Sequence, residues 1–208
     1  MNTTIMRGIV ITKSAKRHPS GEFGACILVY NEDLHKVLRL VQNDNGDSIL
    51  EKNHKDIDLF DIIEFSVIKF SPIQNQIENV VIDLNVDIKK VCKCTIPPKE
   101  LFDMIGTKRS RYIFGNKKCY LTDISKLNHS VEIIHVQDLT IYKNEIGKTK
   151  ADFKYLNNKY NMYSVTDPKY YFYDSIDIES AYIIISMPYS DYNEKYYKFI
   201  AAVYELDE

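Results

Sequence analysis

Tyr163-Ser-Val-Thr-Asp-Pro168, followed by Ala181-Tyr-Ile-Ile-Ile-Ser186 and Lys198-Phe-Ile-Ala-Ala-Val-Tyr204, reads as the closing strands of a small β-barrel. Each run is short and rich in β-branched and aromatic residues, and the Asp-Pro step at its end is a turn signal. Three further runs of the same kind precede or join them: 130–136, 149–155 and 161–165. The N-terminal half repeats the pattern in different words, with strand candidates at 6–12, 25–30, 37–41, 61–70 and 80–84. Five short strands without an intervening helical period fit a small antiparallel barrel.

Between the two sets, Pro97-Pro-Lys-Glu-Leu-Phe-Asp-Met-Ile-Gly106 carries proline at its start, apolar residues at 101, 102, 104 and 105, and glycine at its end. That asymmetry predicts a short helix. A chain of 208 residues holds two domains of common size. The reading is therefore an all-β protein with a short connecting helix: an N-terminal barrel over 1–95, a helical and basic connection over 96–128, and a C-terminal barrel over 129–208.

Composition narrows the function classes. Hydrophobic residues make up 45% and charged residues 27%, and the formal net charge is −2. That balance argues against a protein that coats nucleic acid over its whole surface, so any such site is a local patch. No apolar run is long enough to span a bilayer, and the first residues lack the layout of a secretory signal, which places the chain in the cytoplasm with no membrane partner. Four cysteines, at 26, 92, 94 and 119, are then expected to be reduced. Cys92 and Cys94 with Cys119 invite a zinc reading, with one of the five histidines as fourth ligand, but their spacing is tighter than structural sites use, and the reading preferred is that Cys92 and Cys94 point the same way from a strand and pack as small apolar side chains, so no metal is expected.

Catalytic signatures are missing in the same way. Gly21-Glu-Phe-Gly24 has only two glycines and no Lys-Ser/Thr after them, so it is not a phosphate-binding loop. Asp56, Asp58, Asp61 and Glu64 read as a solvated acidic turn before and within a strand, and His129 and His135 lie about 20 Å apart at strand rise. The expectation is a binding protein without enzymatic activity or cofactor.

The order of features resembles the dual OB-containing domain family of prokaryotic proteins. The resemblance rests on the opening strand and basic loop from Arg7 to Arg17, the long charged strand ending near Ser71-Pro72, Tyr112-Ile-Phe-Gly115, Tyr163 to Pro168, and the last strand pair at Ile183 to Met187 and Tyr197 to Val203. It implies two tandem OB-like β-barrels and a role in sensing nucleic acid or a ligand in bacterial defence systems. It carries over no binding residues.

Residue chemistry supplies candidates. From Met104 to Thr122 there are five basic residues, Lys108, Arg109, Arg111, Lys117 and Lys118, and no acidic one, interleaved with Tyr112, Phe114 and Tyr120. Cations that neutralise phosphates beside rings that stack on bases are what a single-strand groove needs. Lys13, Lys16 and Arg17, in the loop after the first strand, are candidates to join it, because that loop flanks the nucleic-acid face of many OB barrels. The competing reading is a linker whose aromatic residues plug into a barrel.

A second concentration, Tyr170-Tyr-Phe-Tyr173, is read as a protein interface, since extended neighbours point to opposite sides and Asp167, Asp174 and Asp177 would repel phosphates. The partners considered are thus single-stranded or distorted nucleic acid, a protein encoded nearby that the barrels dock, or a small nucleotide.

Overall fold

The computed structural model describes residues 3–17, 21–106 and 110–206, with Arg17 in backbone only. The chain divides into two compact units, Met1–Ile96 and Pro97–Glu208.

The first unit contains β1 (Thr4–Arg17), β2 (Phe23–Asn31), β3 (Lys36–Val41), β4 (Ile49–Leu50), β5 (Asp61–Phe70), β6 (Asn79–Ile82) and β7 (Lys89–Lys93). β1 pairs with β2 through its C-terminal half and with β5 through its N-terminal half. β2 pairs with β3, β3 runs parallel to β6, and β6 pairs back onto β5, so the sheet closes into a ring. Side chains alternate along these strands, which sends Ala25, Ile27, Val29, Leu38, Leu40, Ile63, Phe65 and Val67 into one core.

A long strand whose halves pair with different neighbours turns from one wall of a barrel to the next by bending. β1 does so at a register irregularity between Val10 and Thr12. Gly8 lies just before the bend, where a Cβ would fall 2.8 Å from the Val29 side chain. β7 is exposed along its whole length, and its anchor is Asp61 at the start of β5. The carboxylate of Asp61 is fully buried, sits 3.0 Å from Lys90 Nζ and 2.8 Å from Lys93 Nζ, and accepts a hydrogen bond from the Asp58 amide. Burial pushes its pKa up, and the bonds from Lys93, the Asp58 amide and Lys90 more than reverse that. Asp61 is therefore not part of a solvated acidic turn. Glu64 is likewise engaged, with Arg7.

The second unit opens with α1 (Pro98–Ile105), ended by Gly106 at φ +86°. The segment that reads as a connection packs as part of this unit: Leu101 and Phe102 are buried, and the Phe102 ring lies 5.2 Å from that of Tyr182 and 4.9 Å from that of Tyr204. Then come β8 (Tyr120–Leu121), β9 (Val131–Lys143), β10 (Thr149–Tyr155), β11 (Asn158–Val165), β12 (Ser175–Ser186), β13 (Tyr196–Tyr197) and β14 (Phe199–Glu205).

Five of these form a closed barrel in the order β10, β11, β14, β12, β9. Numbering the barrel strands of each unit from first to fifth along the chain gives the same neighbours in both: first, second, third, fifth, fourth, first, with the third and fifth parallel. This is the Greek-key closure of a five-stranded OB barrel. The bend of β9 falls at Asp138, a non-glycine residue at φ +49°, where the inward residues change from Ile134 and Val136 to Leu139 and Ile141. The parallel seam is sealed by Thr166 and Asp167 of the stretch Tyr163 to Pro168. Thr166 donates its amide to Ile200 O, and buried Asp167 accepts from the amides of Lys169 and Val203, each at 3.1 Å.

Two outcomes follow from this packing. Gly8→Ala is expected to lower stability by about 1–3 kcal/mol, because the new methyl must displace Val29 or the backbone; chemical denaturation measures it, and an unchanged midpoint would contradict the close approach. Burial of His54, assisted by the Lys13 charge and opposed by Glu51, lowers its pKa below 6.5. As pH falls through 6.5 the unfolded chain takes a proton that the folded chain refuses, so this group's contribution is full above that pH and is lost below it. His54→Gln should flatten that part of the stability profile between pH 7 and 5, as read by melts across that range.

Candidate nucleic-acid interface

Residues 110–121 form a strap across one end of the second barrel. The 3-10 turn at Ile113–Gly115 contains Phe114 at φ +45°, a reversal that sends both Ile113 and Phe114 into the barrel core. Phe114 is 3% exposed and stacks on the His129 ring at 5.2 Å, so it is not available to a base. The sequence expectation for this ring is corrected: it plugs the barrel together with Ile113, while Arg111, Lys117 and Lys118 on either side are exposed.

Polar groups inside the barrel mouth hold the strap down. Lys198, at the junction of β13 and β14, is 1% exposed, and its ammonium donates to Ile113 O at 2.6 Å, Asn116 Oδ1 at 2.7 Å and Asn116 O at 3.1 Å. An ammonium has three protons, and each finds an acceptor on the strap. Burial pushes the Lys198 pKa down to about 8, with Glu132 and Cys119 opposing, so it keeps its charge at neutral pH. Buried Glu132 accepts the Phe114 amide at 3.1 Å and faces His129 Nε2 at 3.1 Å. Tyr155 donates its hydroxyl to Ser110 O and Tyr163 donates its hydroxyl to Lys118 O. β8 then pairs with β13, which fastens the end of the strap to the segment between β12 and β14.

Held in this way, the strap presents two tyrosine rings, each flanked by two cations. Arg111 Cζ lies 5.1 Å and Lys117 Nζ 5.7 Å from the Tyr112 ring centroid. Lys195 Nζ lies 4.8 Å and Lys118 Nζ 5.5 Å from that of Tyr120, whose ring is 5.9 Å from Tyr197. Arg111, Lys117 and Lys118 are exposed, and none of these four cations forms a salt bridge among the described residues. A lysine ammonium is a mobile point charge, able to leave a ring face for a phosphate while the ring takes a base.

The other expected residues are placed differently. Lys108 and Arg109 lie outside the described residues. Lys16 is exposed near the end of β1, whereas Lys13 is half-buried and donates to Ile57 O, both in the first unit with Arg17. Tyr170 is fully buried and donates its hydroxyl to Glu205 at 2.9 Å, so it is a core residue and not an interface residue. Tyr171 is half-buried with Lys143 Nζ 5.7 Å from its ring, Tyr173 is 41% exposed, and Phe172 is 94% exposed. The segment is a turn and not a strand, which is why one aromatic residue points in and the next but one fully out.

Lys195, Tyr197 and Lys198 are candidate functional residues outside the sequence expectation, although a lysine at the head of the apolar run Phe199–Tyr204 is a visible anomaly. Also outside it is the outer face of β10 and β11, where Lys150, Lys154 and Lys159 alternate with inward Ala151, Phe153 and Tyr160. Lys154 is paired with Asp138, and Lys150 donates to Ser164 Oγ at 2.8 Å. Among the described residues no group of His, Cys, Asp and Glu is arranged to hold a metal ion, and no helix is long and apolar enough to cross a membrane.

A family model described as dual OB-containing domain matches residues 6–203. No curated protein and no solved structure matches the chain.

Lys198→Met keeps the side chain's bulk and removes all three donors. It is expected to cost about 1–3 kcal/mol through the stranded acceptors and to raise hydrogen exchange across 110–121 while the barrel strands stay protected. Unchanged exchange in the strap would show that Lys198 does not hold it.

Proposed function

The chain belongs to the dual OB-containing domain family, and from that footing we propose that it is a non-enzymatic binding module for single-stranded or distorted nucleic acid, contacted through the strap of its second barrel. The observation that carries this reading is the pair of rings, Tyr112 and Tyr120, each flanked by cations that have no carboxylate partner among the described residues. OB barrels use the face of their second and third strands with the loops after the first and fourth. In this barrel those parts are β10 and β11, the turn 144–148, and the segment 187–198 that carries Lys195 and Tyr197. The strap joins that last segment through β8 and β13. A setting in prokaryotic defence, which the family resemblance implies, is part of the same proposal.

A second reading has its own observation. Phe172, 94% exposed beside half-exposed Tyr173, is the kind of apolar projection that protein interfaces bury, which favours an adaptor that docks a partner protein.

Fluorescence anisotropy with a labelled oligothymidylate tests the first reading. Affinity should fall with salt at a log–log slope of about −0.7 per phosphate contacted, and Arg111→Ala with Lys118→Ala should remove about 1.4 of that slope. Tyr112→Ala should weaken binding by about 1–3 kcal/mol per base with the slope unchanged. Binding that is absent at low salt, or indifferent to these changes, would set the reading aside in favour of the adaptor, and Phe172→Ser would become the informative variant.

A further inference from the structure

We propose that the first unit carries a separate ligand site, a cleft of about 550 Å³ between residues 52–57 and 84–90 that takes a small phosphate ester of nucleoside-monophosphate size. The site lies in the first unit and does not depend on the oligonucleotide reading of the second.

Four lysines line the cleft: Lys52, Lys55, Lys89 and Lys90. Lys90 is committed to Asp61 at 3.0 Å. The ammonium groups of Lys52, Lys55 and Lys89 form no ion pair or hydrogen bond among the described residues, and all three residues are exposed. Three lysines with unengaged ammonium groups on the lining of one concavity are the basis for a dianion receptor. A fourth positive charge stands behind them, since Lys13 donates its ammonium to the carbonyl of Ile57, a residue of the cleft wall.

The cleft is too large for phosphate alone and is not uniformly polar. Ile57, Leu84, Val86 and Ile88 give it an apolar side on which a flat ring can lie. Asp56 and Asp87 add acceptors for sugar hydroxyls or a base amino group. The volume falls within the range of small-molecule sites, which pair an apolar lining with a few convergent polar groups. His54 supplies an independent sign. It lies in the wall and is 5% exposed, and among the described residues its ring nitrogens have only the backbone of His54 and Ile49 nearby, neither in good hydrogen-bond geometry. Buried polar side chains are nearly always paired in a folded protein, and a ligand oxygen at this wall would serve as the acceptor for a neutral imidazole N–H.

The experiment is isothermal titration calorimetry of the full chain with the common 5′-nucleoside monophosphates, inorganic phosphate and adenosine as separate probes. At least one nucleoside monophosphate should bind saturably at one site, about tenfold or more tighter than phosphate, with adenosine showing no heat of binding. The triple change Lys52→Ala, Lys55→Ala and Lys89→Ala should weaken that binding about tenfold or more with the melting temperature of the free protein unchanged, since exposed cations contribute little to folding. Arg111→Ala with Lys118→Ala should leave it untouched. No nucleotide binding at millimolar concentration overturns the proposal, as does binding indifferent to the lysine changes. Phosphate binding as tightly as the nucleotide overturns it too, since the cleft would then be an anion site without a place for the base.

Discussion

A single buried ammonium organises the surface on which the functional reading rests. Lys198 is inside the barrel mouth, and all its protons go to the backbone and side chain of one short segment. Burying a cation is costly unless every donor is satisfied. The strap therefore has one low-energy position, with Ile113 and Phe114 inward and Arg111, Tyr112, Lys117, Lys118 and Tyr120 outward or at the surface. Glu132 makes the arrangement reciprocal: it takes the Phe114 amide, and its negative charge raises the pKa of the lysine that burial lowers.

The two barrels solve one closure problem with different residues. In each, a long first strand bends between its two neighbours: β1 at Val10 to Thr12, where its halves pair with different strands, and β9 at Asp138, where β12 pairs along nearly the whole strand and β10 only with its C-terminal half. In each, the third and fifth strands run parallel, and that seam is short. The second barrel reinforces it with the Asp167 carboxylate, bonded to the amides of Lys169 and Val203. What differs is how the ends are finished: β7, with its buried Asp61 bridged to two lysines, is an addition to the first barrel, and the strap is an addition to the second.

Much of the fold was legible because strand alternation and turn chemistry are local. Asp61 to Phe70 shows its inward residues directly, and Pro98 and Gly106 bracket the helix as helix physics requires. The site was legible only in part. The basic, acid-free run from Lys108 to Lys118 could be read as a cation source, but which rings accompany those cations depends on the φ of Phe114, a backbone choice set by the barrel core and Glu132. Lys195 and Tyr197 come to Tyr120 only through the β8 and β13 pairing, a contact between distant segments that no spacing rule contains. Asp61 reads as one more surface acid because its lysine partners sit on β7, which is exposed throughout and carries no apolar alternation.

The most direct test of the central claim is a map of amide chemical-shift changes as an oligothymidylate is titrated into the labelled protein. The largest changes are expected at Tyr112, Lys117, Lys118, Tyr120 and Lys195, with smaller ones along β10 and β11. Changes centred on Phe172 and Tyr173, or none at all, would contradict the claim.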